Sequence, residues 1–384
     1  MGEKELPKRA EAQLVRSGPG LRPSDGGWRV INLADAVWVE AEGHGSCTEL
    51  EPAEERFENE QLGFNLKVFG PGEPSTLNHR EATEEGFLVL AGECLLIAEG
   101  EELTLGPWDL FICPPGVAHT LIGAGDGPCA VVMTGRRPED AFYVADRVAA
   151  RYGASPESDT PEGRQAYAEW PDHWDEVACR DGWLPELAAG PHPVTGHPDR
   201  RLPAGAPADA SAAGVRPGSR GPFVVNLSRV PWHRYPDSGA HTVNAPADRA
   251  ERSEELGLNV HVVWPGQPSG MYHREAGEEA FLVVSGAALL IVEGEERGLR
   301  AWDCFHCPGG TNHILVGAGD GPCVVVMVGA RPDEPIVYPV DPAALRHGAG
   351  VETETPDPAV AYADRPEGDE VAYPDCLPAL TYRR

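Results

Sequence analysis

Asn78-His79-Arg80-Glu81-Ala82-Thr83-Glu84-Glu85-Gly86-Phe87-Leu88-Val89-Leu90-Ala91-Gly92 reappears 194 residues later. The second version reads Tyr272-His273-Arg274-Glu275-Ala276-Gly277-Glu278-Glu279-Ala280-Phe281-Leu282-Val283-Val284-Ser285-Gly286. Each ends a β-like segment at a histidine, passes through a polar turn, and opens a strand at Glu85 or Glu279. By the two-residue period of a strand, Glu85, Phe87 and Val89 share one face. A carboxylate on that face lies in a core or at a pocket mouth. Burying it alone costs several kcal/mol, so it calls for a metal or another cation.

Working outward, the same offset joins Leu62-Gly63-Phe64-Asn65 to Leu256-Gly257-Leu258-Asn259, and Trp108-Asp109 to Trp302-Asp303. It reaches back to Asn32 and Asn226 and forward to Arg137 and Arg331. With one residue inserted it continues through Thr160-Pro161 and Thr355-Pro356, then Tyr167-Ala168 and Tyr362-Ala363. A unit of this length is a whole domain present twice, too long for a solenoid repeat. The chain of 384 residues accommodates two such domains at roughly 100–200 residues each.

Within each copy, short runs of Val, Leu, Ile and Phe alternate with Gly, Pro and Asp. Glu99-Gly100-Glu101 and Glu293-Gly294-Glu295 read as hairpin turns, and Asp126-Gly127 and Asp320-Gly321 carry a dipeptide favoured in two-residue hairpins. About eight strands per copy, with no amphipathic helix among them, predict an all-β sandwich or barrel. Short helices are expected only at the periphery, around residues 140–151 and 163–170. Residues 1–25 read as a mobile polar arm. The first domain spans 26–189 (core 60–137), a Pro/Gly/Ala-rich linker spans 190–220, and the second domain spans 221–384 (core 254–331). The two halves are expected to be separable, with proteolysis starting in the linker.

Lys plus Arg number 31 against 61 Asp plus Glu, a formal net charge of −30. Such a surface suits neither a phosphate backbone nor an anionic membrane. No apolar run approaches the roughly 18 residues of a membrane span, and the first residues lack the apolar stretch of a signal peptide. The nine Cys are odd in number and scattered, which points to reduced thiols and a cytoplasmic location rather than a disulfide framework. Cys304-x-x-Cys307 sits in a strand-like stretch, where the two side chains point to opposite faces, so it does not read as a zinc knuckle.

The chemistry-bearing set in each copy is His79, Glu85, His119 and His273, Glu279, His313. Pro114-Pro115-Gly116-Val117-Ala118 forms a tight turn that aims His119 into the domain. Two neutral imidazoles and a carboxylate suit Fe(II), Mn(II) or Zn(II) and leave positions open for water, O₂ or a chelating substrate. Three differences between the copies enrich the second: Tyr272 for Asn78, His261 for Lys67 and His306 for Ile112. If they face inward, they supply acid/base or orienting groups beside the second metal, so that if only one barrel is catalytic it is the second. Arg80 and Arg274, next to the histidines, should point away and pair with Glu84 and Glu278.

Pro114-x-Gly116-x-x-His119 and Pro308-x-Gly310-x-x-His313 resemble the second cupin motif. Gly72, His79, Glu85 and Gly92, and Gly266, His273, Glu279 and Gly286, resemble most of the first. Trp108-Asp109 and Trp302-Asp303 stand where cupins commonly have Gly-Asp. Two copies make the chain similar to a bicupin, which implies two tandem double-stranded β-helix barrels. The early histidine of the usual His-x-His is replaced by Asn78 or Tyr272. The remaining His-x₅-Glu…His arrangement resembles the iron site of 3-hydroxyanthranilate 3,4-dioxygenase and related ring-opening cupins. That likeness favours Fe(II), with Mn(II) or Zn(II) as alternatives, and implies a dioxygenase acting on a small polar or aromatic molecule. Ser75, Gly123, Ser269 and Gly317 stand where that family holds its substrate carboxylate with arginines, which argues against that substrate. A Zn- or Mn-dependent isomerase or lyase and a non-catalytic metal- or ligand-binding module are the alternatives. Self-association into a homo-oligomer is left open.

Overall fold

The computed structural model describes residues 8–51, 62–136, 141–171, 174–192, 200–201, 223–242, 255–331, 334–372 and 377–382. It is all-β, built from two jelly-roll barrels with short helices at the periphery. The first barrel sets a large sheet against a small one. The large sheet runs in the order Asp175–Ala178, Val37–Ala41, Gly45–Glu49, Leu62–Phe69, Cys129–Arg136, Glu85–Ala91, Asp109–Cys113, Phe223–Asn226, Arg200–Arg201. The small one runs Glu101–Leu105, Glu93–Ala98, His119–Ala124, His79–Glu81, Ala141–Tyr143. In the second barrel the large sheet is Asp369–Val371, Trp232–Tyr235, Gly239–Thr242, Leu256–Val263, Cys323–Ala330, Glu279–Ser285, Asp303–Cys307, Arg29–Asn32. Its small sheet is Glu295–Arg300, Ala287–Val292, His313–Ala318.

Strand alternation divides each large sheet into two apolar faces. Phe87, Val89, Phe111, Leu121 and Val131 fill the first barrel, and Phe281, Val283, Phe305, Leu315 and Val325 fill the second. The opposite faces carry Leu62, Phe64, Leu66, Leu256, Leu258 and Val260, which join in one core between the barrels. The large sheets therefore pack back to back. Gly86 lies at their contact, where an added Cβ would stand 3.3 Å from Leu258.

The sequence boundary at 190–220 does not divide the sheets, and most of it lies outside the described residues. Arg29–Asn32, from the first copy, is an edge strand of the second barrel, paired with Asp303–Cys307. Phe223–Asn226, from the second copy, pairs with Asp109–Cys113 of the first. The exchange is pinned at matching points. Asn32 donates to Asp303 at 2.8 Å, and Asn226 donates to Asp109 at 2.7 Å. Leu33 N–H donates to the Trp302 carbonyl, and Leu227 N–H to that of Trp108. Both tryptophans adopt left-handed backbone, with φ of 66° at Trp108 and 70° at Trp302, where glycine is the easier residue. Burial of the indole offsets that strain at Trp108, which is fully enclosed and bonds Pro378 O through Nε1. Asn226→Ala should cost about 1–3 kcal/mol, because it strips the buried Asp109 of a donor. Urea denaturation followed by tryptophan fluorescence measures this, and a change within error would show the lock to be idle.

Two local expectations are corrected. Residues 8–25 are not a free arm. They form a hairpin of Leu14–Ser17 and Gly20–Pro23 whose charges find partners on both barrels: Arg22 meets Glu176 at 3.0 Å, and Lys8 bonds Glu293 O at 2.8 Å. Residues 1–7 lie outside the described residues. Asp126-Gly127 closes no hairpin, because His119–Ala124 and Cys129–Arg136 belong to different sheets. Glu99-Gly100 does close one, with both residues at positive φ as a two-residue loop requires.

Candidate metal centre

The structure brings His79, Glu85 and His119 together, and likewise His273, Glu279 and His313. In each set one donor atom per residue lies within 4.8 Å of the others. Three elements supply each set. His79 comes from a short strand paired with His119, Glu85 opens a strand of the large sheet, and His119 opens the strand after the Pro-Gly turn. The turn needs Gly116, whose φ is 82°.

Ring orientation is fixed from behind. Nδ1 of His79 faces Leu77 O at 2.8 Å and that of His119 faces Val117 O at 3.1 Å. The second barrel repeats this, with His273 on Met271 O at 2.8 Å and His313 on Thr311 O at 3.0 Å. A ring nitrogen facing a carbonyl must carry its proton, so each Nε2 turns toward the cluster. His119 Nε2 is 3.4 Å from Glu85 Oε2, and His313 Nε2 is 3.2 Å from Glu279 Oε2. Both histidine side chains are only 1% exposed, and neither Nε2 has a hydrogen-bond partner. Donor atoms that approach without aligning on each other face a common point. That is the fit a divalent cation requires, and the N₂O donor set suits Mn(II), Fe(II) or Zn(II).

Electrostatics agree. In the first barrel, burial and then the neighbouring His79 pull His119 down to about 3. Burial, then Glu81, holds Glu85 well above the usual carboxylate range. In the second barrel burial opposes both charges, but mutual attraction overrides it, so His313 is raised and Glu279 lowered. Protonation is thus favoured at Glu85 in one barrel and at His313 in the other, and a cation competes with it. Binding of Mn(II) should therefore release protons and tighten as pH rises to about 7, where Glu81 and Glu275, both raised to about 7 by burial, also become anions. Calorimetry in buffers of different ionisation enthalpy tests the sign; no net proton release would refute it.

The mouths are aromatic. Phe87 meets His119 at 5.1 Å and Tyr143 meets His79 at 6.2 Å between ring centroids. Phe281 and His313 are 5.2 Å apart, and Tyr338 and His273 6.4 Å. Tyr143 packs edge-on against Tyr167, as Tyr338 does against Tyr362. These tyrosines were not singled out from the sequence, although the shifted repeat at Tyr167 and Tyr362 was a signal. Glu81 and Glu275 were also missed. The sequence reads as a turn there, yet Glu81 ends the strand His79–Glu81.

The three enriching residues lie elsewhere. Tyr272 faces away from its neighbour His273, packing with Ile291 and Ile314 while its hydroxyl accepts from Gly294 N–H. His306 is offset by one from Phe305 and Cys307, which fill the barrel, so it faces the gap between barrels beside Arg29, Glu51 and Leu62. Cys304 and Cys307 likewise point to opposite faces. His261 does face inward, but its register partner Val325 pairs with Val283, four residues beyond Glu279. There it stacks on His241 at 5.3 Å. Arg80 and Arg274 do point away, but to Phe142 and to Glu354. Glu84 and Glu278 instead hold the other barrel: Glu84 accepts from Glu255 N–H, and Glu278 from Leu62 N–H.

Two jelly-roll barrels, each with a His–Glu–His cluster at its mouth, define a bicupin. The family model of the cupin domain matches residues 65–135 and 259–329, one match in each barrel. No curated protein matches the sequence. Among solved structures, the Bacillus subtilis oxalate decarboxylase studied for its Mn(II) centres is 16% identical with a TM-score of 0.50, covering 81% of this chain and 79% of that one. The formate complex of Lactobacillus farciminis oxalate decarboxylase is 17% identical with a TM-score of 0.51, covering 80% and 87%. At such identities the likeness is one of fold. No helix among the described residues is long and apolar enough to cross a membrane.

Proposed function

We propose that the protein is a divalent-metal enzyme acting on a small, oxygen-rich molecule, with bond cleavage of the lyase type as its reaction. The observation that carries this is the cluster at each barrel mouth, where a buried Nε2 without a hydrogen-bond partner, that of His119 or His313, converges with a carboxylate and a second imidazole. A bound metal would polarise a substrate carbonyl or carboxylate. The chain's own groups do the rest. His79, Glu85 and His119 would hold the ion, and Phe87 and Phe111 exclude water behind it. Asn65 Oδ1, buried and without a partner, offers an acceptor inside the barrel. Tyr143 and Tyr338 keep their protons at neutral pH, since burial first raises both phenols. A lyase must return a proton to the fragment it leaves, and the phenols whose rings neighbour His79 and His273 are the candidate donors. The fold shared with oxalate decarboxylases supports this reading. Mn(II) or Fe(II) is the expected metal.

The second reading is a ring-opening dioxygenase, favoured by the five-residue spacing from His79 to Glu85 and from His273 to Glu279. Metal-loaded protein should be offered small di- and 2-oxo-carboxylates, catechols, aminophenols and β-diketones, with O₂ uptake and products followed together. Cleavage without stoichiometric O₂ uptake supports the lyase; uptake matching product supports the dioxygenase. Binding without turnover across the panel would leave a ligand-binding module. We place the protein in the cytoplasm, because the eight described cysteines are all free thiols.

A further inference from the structure

We propose that Glu81 and Glu275 are the fourth protein ligands of the two centres, so that each metal is held by two imidazoles and two carboxylates. This rests on the metal reading above and extends it. His79 and Glu81 are two apart on one strand and share its face. Glu81 Oε1 lies 3.7 Å from His79 Nε2, and Glu275 Oε1 lies 3.7 Å from His273 Nε2. Those are the nitrogens turned toward the clusters. The distance is too long for a hydrogen bond. It fits two donors on one ion, which at about 2.1 Å from the metal stand roughly 3–4 Å apart; neither carboxylate belongs to the 4.8 Å cluster as it stands, so each must swing toward the bound ion. The 3.4 and 3.2 Å separations of the Glu85–His119 and Glu279–His313 pairs fall in the same range.

The arrangement recurs in both barrels although their surroundings differ. Among the described residues, neither carboxylate has a hydrogen-bond donor, and each has only its histidine within ion-pair distance. Both side chains are largely enclosed, with 19% and 23% exposed. Two enclosed carboxylates per mouth, beside a buried imidazole nitrogen with no partner, leave an unmet demand for positive charge. A divalent ion meets it and yields a centre of zero net charge. Replacing a third imidazole by a carboxylate also makes the site harder, favouring Mn(II) and Fe(II) over Cu(II) and Zn(II) relative to a three-histidine site.

The test is Mn(II) binding to chelator-treated full-length protein, read by titration and by the electron-spin-echo spectrum of the bound ion. The parent should bind two Mn(II), each coupled to two ¹⁴N nuclei. Glu81→Gln with Glu275→Gln should weaken binding at least about tenfold at each site. Glu81→His with Glu275→His should add a third ¹⁴N coupling. If the glutamine variant fails to fold by circular dichroism, Glu81→Asp with Glu275→Asp, which keeps the charge but withdraws it, should weaken binding in the same direction. Unchanged affinity and two ¹⁴N couplings throughout would overturn the fourth ligand while leaving the metal centre intact. A parent chain that binds no Mn(II) would overturn the metal reading itself.

Discussion

Replacing His119 and His313 together by alanine should leave a folded chain that holds no divalent metal tightly, while either change alone lowers the content from two ions to one. The histidines open strands at the barrel mouths, so their loss removes no strand pairing. What goes is one of two nitrogen donors. Changes to groups that merely support a ligand cost about 10–100-fold in metal affinity, so loss of the ligand itself should exceed 100-fold. Elemental analysis after anaerobic loading with Mn(II), Fe(II) or Zn(II) counts the ions. Two ions retained in the double variant would refute both centres. Turnover should be compared at matched loading of the untouched barrel. Both mouths carry equivalent ligands, phenylalanines and tyrosines, so each single variant should keep a substantial part of it. Complete loss in one variant would assign the chemistry to that barrel alone.

Cutting the chain between the copies should not separate them. With a protease site inserted after Ala210, the nicked protein should elute as one species of the parent mass, 41.1 kDa. By contrast, residues 221–384 made alone should be insoluble or unfolded. They would lack the strand Arg29–Asn32 together with Trp28, Ile31 and Leu33, each at most 3% exposed in the whole chain. Burying three such side chains contributes about 5–9 kcal/mol at roughly 1.5–3 kcal/mol each, comparable to a domain's entire stability. Supplying residues 1–220 in trans should restore solubility. A well-folded, monomeric second half would show the exchanged strand to be dispensable.

The two His–Glu–His sets were legible because the chain repeats them inside motif frames whose Gly and Pro positions fix the turns. Parity along a strand explains most of what was misplaced. Tyr272 is adjacent to a ligand and so faces the other way, and His306 is one residue out of step with Phe305. Parity would also have recovered Glu81, had its segment been read as a strand. His261 has the right parity but the wrong depth, and depth depends on register between strands distant in sequence. The strand exchange was hidden for a related reason. Asn32 and Asn226 keep the common offset, so the sequence reads the same whether each strand returns to its own barrel or crosses to the other. Only the pairing of Asn32 with Asp303, and of Asn226 with Asp109, distinguishes the two.

The crossing also bears on ancestry. A single barrel with a protruding first strand and an open edge is half of a two-fold dimer, in which each partner lends its strand to the other. Joining two such genes head to tail preserves every contact and turns an encounter between molecules into one within a molecule, at high effective concentration. The join itself then has only to connect the two copies. Once joined, neither copy could be deleted without exposing an unpaired edge in the survivor. The fusion would then be a one-way step, preserved by folding even if one of the two metal centres lost its use.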